Sequence, residues 1–221
     1  MENNKKVIIL LGRPGSGKGT QAELLAKKFK LEYIGSGDLL RKAAKRNDFT
    51  GRKIKETIDK GFLVPTPVIF KLWLDKFEEL KKEKNLKGII IDGSPRKILE
   101  AYLIDDALDW YGWKDNLKIF LLNISSKEAI NRLTKRRICK KCGKIIPYIG
   151  EYKKIKKCPV CGGELVQRAD DSLLSIKRRL ELFNKEVMKV IRYYQKEKRL
   201  IKINGEQSIE DVFKEILKYL K

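Results

Sequence analysis

The chain has 221 residues, 42% hydrophobic and 36% charged, enough for one sizeable core with one or two small inserted lobes. No apolar run approaches the roughly 18 residues of a membrane span, so neither a membrane protein nor a membrane partner is expected. A net charge of +22 suits polyanionic partners, while the complete lack of histidine excludes imidazole catalysis.

In chain order, the first predicted strand is the apolar run 6–11, too short for a secretory leader, so the cytoplasm is the expected compartment. It leads directly into residues 12–21, G-R-P-G-S-G-K-G-T-Q, and then into an amphipathic stretch with Ala22, Leu25, Ala26 and Phe29 at helical spacing. A glycine-rich turn between strand and helix lets successive backbone N–H groups converge on one anion. The helix N-terminus adds its dipole and Lys18 a point charge for the outer phosphates. The general pattern places Ser or Thr directly after the lysine, for magnesium; here that slot is Gly19 and the hydroxyl comes at Thr20. Gly15, Ser16, Gly17, Lys18, Gly19 and Thr20 are therefore expected to hold a nucleoside triphosphate.

Further strands are predicted at 32–34, 88–91, 117–123 and 200–203, short apolar runs of the kind covered on both faces. Between the first two lies a stretch of short helices, about 36–68, outside the strand–helix alternation. A helix follows to residue 80, with Thr66 as N-cap and Pro67 in its first turn. Asp92 closes the run 88–91, where a strand-end carboxylate can reach magnesium directly or through water. Ser125-x-x-Glu128 and Ser208-x-x-Asp211 read as capping boxes at two more helix starts. The alternation predicts an α/β fold with a doubly wound parallel sheet.

The segment 136–169 holds all four cysteines. Cys139-x2-Cys142 and Cys158-x2-Cys161 stand 15 residues apart, the spacing of a four-thiolate zinc ribbon, and each pair is followed by glycine, Gly143 and Gly162. Two disulfides are the alternative, disfavoured in a reducing compartment. Four thiolates close the coordination sphere, so the metal is structural; zinc is the default, and iron or cobalt would fit the same donors. Zinc ribbons often serve nucleic-acid binders. This one interrupts an arginine-rich helix in a phosphate-loop chain whose lysines are spread throughout, so no specific nucleic-acid partner is expected. Arg41, Arg96, Arg132, Arg136, Arg168 and Arg179 are the candidates for neutralising a phosphoryl group in transfer.

The strings G-x-P-G-S-G-K-G-T, S-G-D-L-L-R (36–41), G-F-L-V-P (61–65), D-G-S-P-R (92–96), R-L-T-K-R-R-I-C (132–139), R-A-D-D (168–171), K-R-R-L (177–180) and I-N-G-E-Q (203–207) span nearly the whole chain. In this order they resemble adenylate kinases of the long type with a zinc-bearing lid. The resemblance implies a phosphate-loop core with a five-stranded sheet (1–35, 69–135 and 170–221), a monophosphate-binding lobe (36–68) and a zinc-ribbon lid (136–169). It implies ATP and AMP as substrates of a monomer, and magnesium-dependent, reversible in-line transfer of the γ-phosphoryl group that yields two ADP without a general base. Lys18, Arg96, Arg136, Arg168 and Arg179 take the catalytic positions. Gly15 through Thr20, Arg132, Arg136 and the backbone at Gln207 take the ATP positions. Ser36, Arg41, Leu63, Val64, Gly93, Ser94, Pro95, Arg96, Glu100, Arg168 and Arg179 take the AMP positions, and Asp92 the magnesium side. Asp170 and Asp171 match the acidic pair that closes on the lid arginines. Departures are Ser94 for a usual Phe, Lys97 for Thr, Glu100 for the Gln that reads adenine, and Lys135 for a hinge Gly. Glu100 can accept from an exocyclic amine but cannot donate to the neighbouring ring nitrogen unless protonated, so UMP, CMP or GMP stand as alternative acceptors.

Overall fold

A computed structural model describes residues 5–168 and 171–220. Asp170, one of the acidic pair, lies outside these residues. The strand β1 (Lys6–Gly12) is followed by α1 (Lys18–Phe29), β2 (Glu32–Gly35), α2 (Ser36–Ala43), α3 (Phe49–Asp59), α4 (Thr66–Lys81) and β3 (Gly88–Asp92). Then come α5 (Ile98–Trp110), β4 (Leu117–Asn123) and α6 (Ser126–Lys135). The cysteine segment holds β5 (Arg137–Cys139), β6 (Ile145–Ile146), a short 3-10 turn (Gly150–Lys154) and β7 (Leu165–Val166). The chain returns through α7 (Leu173–Leu182), a π-helical turn (Phe183–Val187), α8 (Met188–Lys196), β8 (Leu200–Asn204) and α9 (Ile209–Leu217).

The main sheet is parallel, in the order β2-β3-β1-β4-β8. Its central strand explains the layering. Val7, Ile9 and Leu11 point into one core with Trp73, Phe77, Ile104, Leu108, Val190 and Tyr194. Ile8 and Leu10 point into the other, with Ala22 and Leu25 of α1 and Val212 and Ile216 of α9. Period-two alternation thus feeds two apolar layers, which is why the strands read as unbroken apolar runs. Side chains as large as Trp73 and Phe77, 1% and 0% exposed, cost about 3–5 kcal/mol each when truncated in such cores. A second, antiparallel sheet in the order β6-β5-β7 carries the cysteines. Among the described residues no helix is long and apolar enough to cross a membrane.

Helix starts differ from the expectation in detail. α4 begins at Thr66 itself, with Pro65 in the N-cap place and Pro67 in the first turn. The Ser125 hydroxyl accepts from the Glu128 amide at 3.2 Å, as a cap should, but the Ser125 amide is taken by Glu206 at 2.7 Å. Glu128 is thereby free to hold Arg132 Nε at 2.6 Å. The reciprocal half of the box comes from another element. Ser208 likewise caps the Asp211 amide at 3.1 Å, and its hydroxyl donates to Asp211 Oδ2 at 2.7 Å.

Candidate active site

The ends of the central strands bring the site together. Register sets Leu10 of β1 opposite Asp92 of β3, and Asp92 opposite Gly35 of β2. The loops leaving these strands open into one cleft of about 1170 Å³ at the carboxyl edge of the sheet, the usual ligand crevice of open α/β folds. All the predicted nucleotide-site residues line it. Gly15, Ser16, Gly17, Lys18, Gly19 and Thr20 come from the loop after β1, and Ser36 and Arg41 from α2. Leu63 and Val64 precede α4, while Asp92, Gly93, Ser94, Pro95, Arg96 and Glu100 come from the end of β3 onward. Arg132, Arg136, Arg168, Arg179 and Gln207 close the remaining sides.

The loop enters α1 through Gly17, whose φ of 92° places it in the left-handed region at the N-cap. Lys18 folds its ammonium back onto the loop, donating to the carbonyls of Gly12 at 2.8 Å and Arg13 at 2.9 Å. Burial pulls the Lys18 ammonium down to about 8; Asp92 opposes this, and Arg96, Arg179 and Arg136 add to it. Those same neighbours show how closely the charges are gathered. Arg96 Nε donates to the Gly93 carbonyl at 2.6 Å, and burial followed by Arg179 lowers its affinity for its proton. Arg136 forks onto Asp171, with Nε 2.8 Å from Oδ2 and Nη2 2.7 Å from Oδ1, and Arg179 reaches the same Oδ1 at 3.0 Å. Arg132 is buried, with its guanidinium on Glu128 and on the Gly205 carbonyl at 3.0 Å. The Gln207 amide group donates to Glu215 at 2.6 Å, and the residue lines the cleft.

Glu100 has a part that the sequence did not reveal. Its Oε2 accepts from the Arg96 amide at 2.6 Å and from the Lys97 amide at 3.4 Å, closing the start of α5. Three further residues were missed. Arg13 ties the loop to the end of β4 through the Ile124 carbonyl at 2.9 Å and stacks over Phe183. Trp73 donates to Ser36 Oγ at 3.1 Å, and Ser36 in turn meets Ser94 Oγ at 2.5 Å. Tyr33 donates to Asp92 Oδ2 at 3.0 Å.

In the small sheet all four sulfurs lie within 4.8 Å of one another. Cys139 and Cys161 are 3.5 Å apart, as are Cys142 and Cys158, far beyond a disulfide bond and close to the roughly 3.8 Å edge of a zinc–thiolate tetrahedron. Amides of Cys142 and Lys141 lower the Cys139 thiol to about 6, favouring the thiolate. A Cβ on Gly163 would stand 2.9 Å from Cys139 Sγ and 3.3 Å from Cys161 Sγ, so only glycine leaves the sulfurs room to close on an ion. The donors fit a structural zinc.

The adenylate kinase family model matches residues 10–199, well over half of the chain. The chain belongs to the adenylate kinase family. It is 40% identical over 216 residues to an adenylate kinase of Caldicellulosiruptor bescii, covering 96% of this chain and 98% of that one. It is 39% identical over 214 residues to an adenylate kinase of Caldanaerobacter subterraneus, covering 96% and 95%. Against an adenylate kinase of Chlamydia muridarum it is 38% identical over 227 residues, covering 98% and 88%.

For an adenylate kinase whose Lys18 ammonium is lowered this far, nucleotide affinity should carry a pH signature. The folded value of about 8 lies below the ordinary 10.5, so between these limits the folded chain holds fewer protons than the unfolded one. Lys18 therefore weakens the fold below about pH 8, and this penalty disappears as pH rises toward 10.5. Polyphosphate needs the ammonium form. Affinity for ATP should be level below about pH 8 and fall toward tenfold per pH unit above it, with proton uptake on binding. Calorimetry near pH 9 in two buffers of different ionisation enthalpy reads this uptake, and none would show that Lys18 keeps its proton throughout.

Proposed function

We propose that the chain is an ATP:AMP phosphotransferase that interconverts ATP and AMP with two ADP. The observation that carries this reading is convergence: Lys18, six arginines and the strand-end Asp92, from eight separate elements or loops, line a single cleft. The chain has no histidine to serve as a base, and phosphoryl transfer requires only positioning and charge neutralisation. Lys18 and the amides of residues 15–20 hold the ATP phosphates, with Arg132 and the Gln207 backbone on the rest of ATP. Arg41 and Arg96 hold the acceptor phosphate, while Arg136, Arg168 and Arg179 neutralise the group in flight. Ser36, Leu63, Val64 and the turn Gly93, Ser94 and Pro95 shape the acceptor pocket. The Asp92 carboxylate is a hard oxygen donor suited to magnesium, which when bound supplies charge neutralisation between phosphates.

In this reading 36–68 and 136–169 are the lobes that close over the substrates and exclude water. One chain supplies every residue of the cleft, so a monomer suffices. The unpaired thiols suit zinc in a reducing compartment, and we place the protein in the cytoplasm.

Glu100 supports an acceptor base that carries an exocyclic amine. With Oε2 committed to two backbone amides, the rest of its carboxylate offers acceptance and no donation. Adenine and cytosine present an amine there, whereas uracil and the guanine O6 edge present a carbonyl. ADP formation with AMP, CMP, GMP and UMP supplied in parallel tests this. AMP is expected first and CMP second; no turnover with any of the four would overturn the reading. Glu100→Gln, its oxygen held by the two amides, turns a donor toward the base in place of the acceptor. It should lower kcat/KM for CMP by about tenfold, the worth of one good hydrogen bond, while AMP, which offers a ring nitrogen to that donor, loses less. Unchanged CMP kinetics would show that Glu100 serves only the start of α5.

A further inference from the structure

Tyr33 lies in β2, two residues before the strand ends, and its side chain reaches the cleft. The hydroxyl donates to Asp92 Oδ2 at 3.0 Å, joining the neighbouring strands β2 and β3 at the point where both give way to site loops. A second carboxylate approaches from the acceptor side. Asp38, in the first turn of α2, stands beside the Tyr33 hydroxyl over Gly35 and pairs with Arg41 at 2.5 Å. The two groups meet over Gly35, where a Cβ would collide with both the Tyr33 hydroxyl and the Asp38 carboxylate. The bare backbone at Gly35 is what gives Tyr33 its place.

The arrangement constrains Asp92. A half-buried carboxylate on a short strand end could rotate about its terminal torsion, which is broad and soft. One phenolic proton on Oδ2, the oxygen that also lies toward Gly19 of the phosphate loop, removes that freedom, and Lys18 is the cation that acts most strongly on the carboxylate. A phenol is well chosen for the task, because it donates without carrying a charge of its own into a crowded electrostatic site.

We propose that Tyr33 is a positioning residue, whose hydroxyl fixes the Asp92 carboxylate in the orientation that meets the cation accompanying ATP. This rests on the phosphotransferase reading for the identity of the ligand. It goes beyond that reading by assigning the cation's share of ATP affinity to a residue outside the phosphate loop and the arginine set.

Tyr33→Phe keeps the ring and removes only the donor. ATP affinity is measured by calorimetry without AMP, once with excess magnesium and once with a chelator. Affinity with magnesium should fall about tenfold, while metal-free ATP should bind within about twofold of the parent. In an Asp92→Asn background the same change should have no further effect on the ratio of the two affinities, because the carboxylate it orients is gone. The melting temperature should stay within about 4 °C of the parent. Equal weakening of both forms of ATP, no change in either, strict additivity with Asp92→Asn, or a large loss of stability would each overturn the positioning role. Turnover of the parent chain with AMP tests the phosphotransferase reading separately, so failure of one does not look like failure of the other.

Discussion

Lys18→Met is expected to lower phosphoryl transfer by about 10³-fold or more while leaving the melting temperature nearly unchanged. Both halves follow from the surroundings of the side chain. Loss of one preorganised charge from a dry site costs about 10²–10³ in rate for a hydrogen-bond donor and more for a cation on a moving phosphoryl group. The fold, by contrast, does not need the charge. Burial already pulls the Lys18 ammonium down to about 8, and what holds it is a set of loop carbonyls at 2.8 and 2.9 Å. Methionine fills similar volume, removes the desolvation cost and gives up those bonds, so the opposing changes largely cancel. Arg96→Ala should behave alike in rate. Steady-state assay of purified variants beside thermal denaturation checks both; retained turnover in either would sink the role assigned to the cleft.

Removing the metal from the four cysteines is expected to lower the melting temperature by about 10 °C. The small sheet cannot organise itself by burial: in the segment 136–168, Ile146 is the large aliphatic side chain that is buried, besides Cys139 and Cys158. Structural zinc contributes folding free energy outright, and a loss of roughly 3–4 kcal/mol to a chain of this size moves the transition by about that amount. Chelation followed by calorimetry and a metal assay reads it, and Cys158→Ser should reproduce the shift without chelator. An unchanged melting temperature would mean that backbone pairing alone holds the segment.

Much of this was legible because the physics is local. Strands covered on both faces must be apolar throughout, and 6–11, 88–91 and 117–123 declared themselves for that reason. A loop that wraps phosphate needs glycine and a lysine at set spacing, and a thiolate site needs paired cysteines. What escaped was fixed by distant partners. Tyr33 finds Asp92 59 residues away, Arg13 finds the end of β4 111 residues away, and Trp73 finds Ser36 37 residues away. Nothing in their neighbouring residues announces such roles. Glu100 was read as a base-recognition residue from the string around it, and the backbone amides that occupy its Oε2 appear only once α5 has its true start. The π-helical turn between α7 and α8 likewise leaves no mark in the apolar spacing.

Asp171 gives the cleft a property of its own. This fully buried carboxylate grips Arg136 with two bonds and Arg179 with a third, the guanidiniums we assign to the moving phosphate. It is an internal competitor for the substrate's charge. An arriving phosphate exchanges one anion for another, so neither arginine is stranded bare in a dry site before binding or after release. The exchange weakens capture, and by the same amount it eases departure of the product. A cleft so rich in positive charge can thus let a nucleoside diphosphate go.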